Sequence, residues 1–233
     1  MQLSLEWAQA ADCRLLTWLD KEYPACLYAM PDPPVVLYAR GNLAALSKPM
    51  IAILGVRESS RAALKLGANI ARAAAQRGWC VVSGLARGLD VAATKGALTS
   101  GQASATLAVM ATGPDRMYPP EHVGTAREIL QAQGLLLTEH CPGARFHPQN
   151  ILRRQRLIAG LSRGVLVVQA KRHSSALRIA RVACDLGREV FAVPGAAGDP
   201  LSAGTHQLIR EGAALVESVQ DIWSAFGLTA AYR

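Results

Sequence analysis

The chain of 233 residues is 51% hydrophobic and 18% charged, which fits one large packed domain and excludes a disordered chain or a disulfide-stapled peptide. Its 25 basic and 17 acidic side chains give a formal charge of +8, and 20 of the cations are Arg, whose planar fork suits phosphate and base stacking, so the excess points to nucleic acid or another phosphorylated partner. No run approaches the ~20 apolar residues of a membrane span, the start from Met1 to Trp7 lacks the basic and apolar regions of a secretion signal, and the five cysteines form no CxxC pair, so a soluble cytoplasmic protein without metal or membrane attachment is expected.

Residues 1–48 read as an N-terminal extension: a short helix near 4–11, the Pro-rich link from Met30 to Pro34, and a brief strand over Val35–Tyr38, with Trp7, Trp18, Tyr23, Tyr28 and Tyr38 as aromatic anchors. From there the chain alternates apolar runs with Ala- and Leu-rich segments. Strands are expected at Met50–Leu54, Cys80–Ser83, Thr106–Ala111, Leu135–Thr138, Val165–Gln169, Val190–Val193 and Ala214–Val216. Helices are expected at about 60–77, 89–100, 121–133, 151–160, 175–186, 205–212 and 219–226. Most strands are continuously apolar, as they are when both faces of a sheet are covered. The expected fold is therefore α/β: a Rossmann-like, doubly wound, mostly parallel sheet over 49–226, followed by a tail over 227–233.

Ligands of open parallel sheets bind outside the carboxyl ends of the strands, so the residues just after each strand are the ones to read. The first such turn, Gly55-Val56-Arg57-Glu58-Ser59-Ser60, offers an Arg at the mouth of a site and a serine cap for the next helix. It lacks the GxGxxG pattern of a dinucleotide site. The second, Ser83-Gly84-Leu85-Ala86-Arg87-Gly88-Leu89-Asp90, offers backbone N–H groups and Arg87 to an anion, with Asp90 as a helix cap. The third, Thr112 to His122, reads as a proline-stiffened wall, and adjacent Glu121 and His122 point apart on a helix and make no acid–base pair. Each loop taken alone is equally an ordinary connection.

The fourth region carries the most information. Between Glu139 and Asp185 there is no acidic residue, while Arg145, Arg153, Arg154, Arg156, Arg163, Lys171, Arg172, Arg178 and Arg181 supply nine positive charges. The stretch 140–184 thus carries +9 and the rest of the chain, with 16 basic and 17 acidic residues, sums to −1. It reads as one basic block on the ligand-facing edge. Arg153 and Arg156 share a helix face, Arg154 lies about 100° round from Arg153, and Phe146, Gln149 and Asn150 sit just ahead with a stacking ring and amides. Interleaved rings and guanidinium groups suit single-stranded nucleic acid. After the next strand, Lys171 and Arg172 precede Ser174 and Ser175 at a helix start, a combination suited to phosphate.

Several ordered motifs then make the sequence similar to the DprA (Smf) family of DNA-processing proteins. They are Tyr23-Pro24, the run from Asp32 to Gly41, Val82 to Asp90, Leu157 to Gly164, Gly187 to Gly195, and Leu208 to Ala213, spread over roughly residues 20–222. The resemblance implies a Rossmann-like domain that binds single-stranded DNA without cleaving it, needs no cofactor, forms a homodimer, and helps to load the RecA recombinase during natural transformation. It further implies that Gly55, Arg57, Ser83, Gly84, Leu85 and Ala86 belong to the strand-binding pocket. Val56, Gln155 and Gln169 depart from the Ser, Asn and Glu usual in the family, and Gln169 removes a negative charge beside the site. The winged-helix and full N-terminal helical domains of many members are not found in these 233 residues. The residues also leave open a nucleotide-processing enzyme of the phosphoribohydrolase type, although Pro194-Gly195-Ala196-Ala197-Gly198-Asp199 only half matches its Pro-Gly-Gly-x-Gly-Thr loop.

Overall fold

Apolar runs bounded by glycine, proline and serine do form the strands, and amphipathic Ala-rich segments cover them. A computed structural model of the chain describes residues 2–10 and 12–228. In chain order the elements are α1 (Gln2–Ala8), β1 (Cys13–Thr17), α2 (Ala25–Tyr28), β2 (Val36–Gly41), β3 (Met50–Gly55), α3 (Arg61–Gln76), β4 (Cys80–Ser83), α4 (Leu89–Leu98) and β5 (Thr106–Val109). They continue with α5 (Val123–Gln131), β6 (Leu135–Thr138), α6 (Pro148–Leu161), β7 (Gly164–Gln169), α7 (Ser175–Asp185), β8 (Glu189–Ala192), α8 (Ala203–Arg210), β9 (Ala214–Leu215) and α9 (Val219–Ala225).

The nine strands form one sheet in the order β1-β2-β6-β5-β4-β3-β7-β8-β9. From β6 to β9 all pairings are parallel. Beyond β6, the strands β2 and β1 add antiparallel, with Tyr38 opposite Thr138 and Leu15 opposite Tyr38. Side chains of the central strands alternate between two covered faces. Ile51 and Ile53 of β3 pack with Ala63, Leu89 and Ala93 of α3 and α4, while Ala52 and Leu54 pack with Leu157, Ile158, Ala176 and Leu177 of α6 and α7. Helices of β3 and β7 therefore leave toward opposite faces, and the crevice of a doubly wound sheet opens beside these two neighbouring strands.

The α/β doubly wound class is as expected, with local differences. Residues 13–17 form a strand that the sequence reading lacks. Their burial alternates weakly along only five positions, and the pairing depends on β2 rather than on a local turn. The first helix ends at Ala8 rather than near residue 11, a position outside the described residues, and the tail over 227–233 is described only through Leu228. Helix α6 begins at Pro148, ahead of residue 151, because proline fits the first helical turn and the His147 ring accepts the Gln149 N–H. Among the described residues, no helix is long and apolar enough to cross a membrane.

Candidate nucleic-acid interface

The turn after β3 is built before any ligand arrives. Ser60 caps α3 by accepting the Ala63 N–H, the Ser59 hydroxyl donates to the Val56 carbonyl, and the Gln169 side-chain oxygen accepts the Ser60 N–H at 3.0 Å. Val56 is buried, so its side chain faces the interior and not the mouth of the site. Gln169 performs a structural task as an amide, joining the end of β7 to the start of α3. Arg57 is left exposed at the rim.

The turn after β4 presses against it. Gly88 has φ 79°, and a Cβ there would lie 2.4 Å from the carbonyl oxygens of both Val56 and Arg57, so only glycine lets the two turns touch. Asp90 does not cap α4, whose N-cap is Gly88. Its buried carboxylate instead folds back and accepts the N–H groups of Gly84 at 3.1 Å and Ala86 at 3.4 Å. The N–H groups read from the sequence as offered to an incoming anion are therefore taken by an anion of the protein itself. The Ser83 hydroxyl is likewise internal, 2.9 Å from the Thr94 hydroxyl. Leu85 is buried in a left-handed conformation, φ 49°, and its carbonyl accepts from His122 Nδ1 at 2.7 Å.

The loops after β5 and β6 are also joined. Gly113 N–H donates to the Ala144 carbonyl and Gly143 N–H to the Asp115 carboxylate. That junction stacks Tyr118 on Phe146, with ring centroids 3.7 Å apart and planes 14° from parallel. Asn150, expected to face a ligand, spends its amide on the carbonyls of Ala111 and Arg145, whereas Gln149 is exposed.

These four loops enclose a cleft lined by Arg57, Ala86, Arg87, Tyr118, Pro119, Phe146, Ile151 and Arg154. Its walls carry three guanidinium groups and two rings and, among the described residues, no carboxylate. Arg154 projects from α6 and donates to the Gly84 carbonyl at 2.8 Å, while its Nε is buried without a partner among the described residues. A Cβ on Gly84 would meet Arg154 Cζ at 3.0 Å and Asp90 Oδ2 at 3.2 Å, so this glycine separates the two charges by little more than its own backbone. Burial pushes the Asp90 carboxyl up from the usual aspartate value, against the pull of Arg154 and the two N–H donors. Burial pushes the Arg154 guanidinium down, with Asp90 opposing and Arg57 adding to the fall.

The other basic residues are distributed differently from the single block expected. Arg156 leaves the cleft side of α6 and bonds to the Glu139 carboxylate and to the Asp32 carbonyl of the Pro-rich link. Glu139 has only 7% of its side chain exposed, and Arg153 stands 3.9 Å from its second oxygen. Arg163 stands just before β7 at the opposite end of the sheet, where it lies over the rings of Trp79 and Phe226. Arg87 reaches across to Glu121 at the rim. Lys171, Arg172 and Ser175 are exposed on the far side of the β3–β7 crevice, beside Ser174, whose Oγ is buried at the start of α7 without a partner among the described residues.

Sequence reasoning passed over Tyr118 and Ile151 as cleft residues. Prolines dominate the loop that carries Tyr118, and the link between Gly113 and Ala144 brings its ring onto Phe146. Glu139, which in sequence only marks the edge of an acid-free stretch, is the partner of two of its arginines.

The sequence and the fold are similar to those of known proteins. The chain is 38% identical over 222 residues to protein Smf of Escherichia coli, covering 95% of this chain and 59% of that protein. It is 41% identical over 208 residues to the DNA processing protein DprA of Streptococcus pneumoniae, covering 89% and 72% of the two sequences, and the X-ray structure of that protein superposes with a TM-score of 0.86 at 94% coverage of this chain and 76% of the other. The DNA processing protein A of Helicobacter pylori, studied for its single-stranded DNA binding mode, superposes with a TM-score of 0.81 at 26% identity, covering 92% of this chain and 95% of that one. The model of the DNA recombination-mediator protein A family matches residues 14–227, and the chain belongs to that family.

Proposed function

We propose that this chain binds single-stranded DNA in the cleft between the β3, β4, β5 and β6 loops, without cleaving it, and acts as a recombination mediator in the cytoplasm. The observation that carries the reading is a cleft whose lining combines Arg57, Arg87 and Arg154 with the stacked pair Tyr118 and Phe146 and, among the described residues, holds no carboxylate. Guanidinium groups bind backbone phosphates, and a ring face accepts any base, which together give affinity for a strand with little dependence on sequence. Membership of the recombination-mediator family and the single-stranded DNA binding of the Helicobacter relative support the same reading. Gly55, Ser83, Gly84, Leu85 and Ala86 serve it as scaffold, and Gln149, Arg153, Lys171, Arg172, Ser174 and Ser175 as flanking contacts along the edge. Loading of the RecA recombinase and assembly into a homodimer complete the proposal.

The test is fluorescence anisotropy on an oligothymidylate over a salt series, with the oligonucleotide length checked after incubation. Affinity falls steeply with salt, Arg57→Ala weakens it about tenfold and lowers the salt slope by about one, and the oligonucleotide stays intact. Binding that ignores salt or survives Arg57→Ala unchanged refutes the assignment of the cleft; shortened products refute the non-catalytic reading.

A further inference from the structure

We infer that Asp90 is a positioning residue for the DNA-binding cleft, a resident anion that fills the backbone N–H cup of the second loop and holds Arg154 in place to meet the strand. The inference rests on the reading of the cleft as a single-stranded DNA site. Three observations carry it. Asp90 is buried, 6% exposed, and its carboxylate is bound by the Gly84 and Ala86 N–H groups. Arg154, which lines the cleft, is tied to the same glycine from the other side through the Gly84 carbonyl. Gly84 separates the two groups so closely that a single added carbon would contact both.

The chemistry follows from that sandwich. A guanidinium held in a partly buried place beside a second cation, Arg57, is repelled by it and has lost part of its hydration. The carboxylate across Gly84 offsets both effects, and with the Gly84 carbonyl it fixes where the guanidinium stands. Because the N–H cup is already occupied, the loop recognises a strand through side chains it positions rather than through its own backbone donors. Phosphate in the middle of a strand and phosphate at its end are then equivalent to the site.

Simple charge counting gives the opposite sign to this inference, which makes it testable. Removing a carboxylate next to the Arg154 guanidinium raises the local potential and tightens phosphate binding. Loss of a positioning residue loosens it. Anisotropy with a labelled oligothymidylate is measured for the full chain, Asp90→Asn, Arg154→Met and the double variant, with a thermal melt for each. Asn keeps the size of the side chain and an oxygen for the Gly84 N–H, so it removes the charge and spares the loop.

The expected result is a loss of about tenfold for Asp90→Asn in the presence of Arg154 and a change of less than about twofold once Arg154 is Met, since groups that act through one another are not additive. Equal or tighter binding by Asp90→Asn overturns the inference, and so does an equal loss in both backgrounds, which marks Asp90 as a structural residue only. If the melt shows that Asp90→Asn is unfolded, the comparison is made with Asp90→Ser, which keeps an acceptor oxygen without the charge. If Arg154→Met alone leaves binding unchanged, the cleft assignment fails and not merely the role of Asp90. Oligonucleotides with and without a 5′-phosphate bind equally; a marked preference for the phosphorylated end shows that the N–H cup is open to ligand and refutes the resident-anion reading.

Discussion

Two stretches on the carboxyl edge of the sheet are basic, and they differ in what surrounds the charge. The cleft at the β3–β6 loops holds Arg57 and Arg154 between locked turns and beside two stacked rings. The ledge at the β7 loop holds Lys171 and Arg172 exposed to solvent, and Arg172 shares a pocket with Asp199 and His206 rather than with a stacked pair of rings. Solvated cations attract any polyanion and are screened by salt within about 10 Å at 0.1 M. A cleft with fixed cations and an apolar wall can also distinguish an unpaired base from a paired one. The difference teaches that a run of positive charge locates an edge, while counter-ions and shape decide where on it a ligand rests.

That contrast can be broken most sharply at the rings. Tyr118→Ala removes one partner of the stack, and stacking is worth about 1–3 kcal/mol per base; the affinity for an oligothymidylate falls accordingly, while affinity for duplex DNA changes little. Equal losses on both substrates contradict a stacking role.

Next comes Arg156, a member of the basic stretch that is engaged within the protein. Arg156→Ala leaves the Glu139 carboxylate without its charged hydrogen bond and lowers stability by about 2 kcal/mol at neutral pH in denaturant unfolding. Burial holds the Glu139 carboxyl above the usual glutamate value against the pull of Arg156 and Arg153. A protonated Glu139 has no need of the cation, so the loss fades as pH falls through that raised value. A loss that is the same at every pH contradicts the pairing.

A smaller effect is expected from Gly84→Ala. The new methyl meets Arg154 and Asp90 at 3.0–3.2 Å, and overpacking of this size displaces them enough to reduce single-strand affinity by about 1 kcal/mol while the fold is retained. The smallest effect belongs to the ledge. Replacing Lys171 and Arg172 together by Ala weakens binding about equally for single and double strands and lowers the salt slope, in proportion to the phosphate contacts removed. A loss specific to single strands raises the ledge to the standing of the cleft and erases the contrast.

Much of this architecture is legible in the sequence because the apolar runs of the parallel strands and the Ser- and Gly-bearing turns between them are local signals. β3, β4, β6 and β7 come within a residue of their expected bounds at each end. The first strand is not legible, since Cys13–Thr17 becomes a strand only by pairing with β2. The cleft is legible in part. Arg57, Ala86, Arg87, Phe146 and Arg154 lie on expected loops and an expected helix, but the rotation of α6 that sends Arg154 to the cleft and Arg156 to Glu139 depends on packing against the sheet. Asp90 is the clearest case. In sequence it stands in the first turn of a helix and reads as a cap; only the fold back toward Gly84 gives it another partner. Arg163 is the converse, eight residues before Lys171 and separated from it by the length of β7.

The contact made possible by Gly88 has a consequence for how a strand would be received. With no gap between the turns after β3 and β4, Arg57 and Arg87 ride on a single stiff ledge whose arrangement does not wait for DNA. Most of the loss of conformational freedom on binding then falls on the nucleic acid. A supple pyrimidine strand has more freedom to lose and a stacked purine strand has less, yet the stacked strand must first release a base to occupy the rings. Preference among homopolymers thus becomes a balance between chain flexibility and base stacking in the free strand, set by the DNA itself against a surface that stays still.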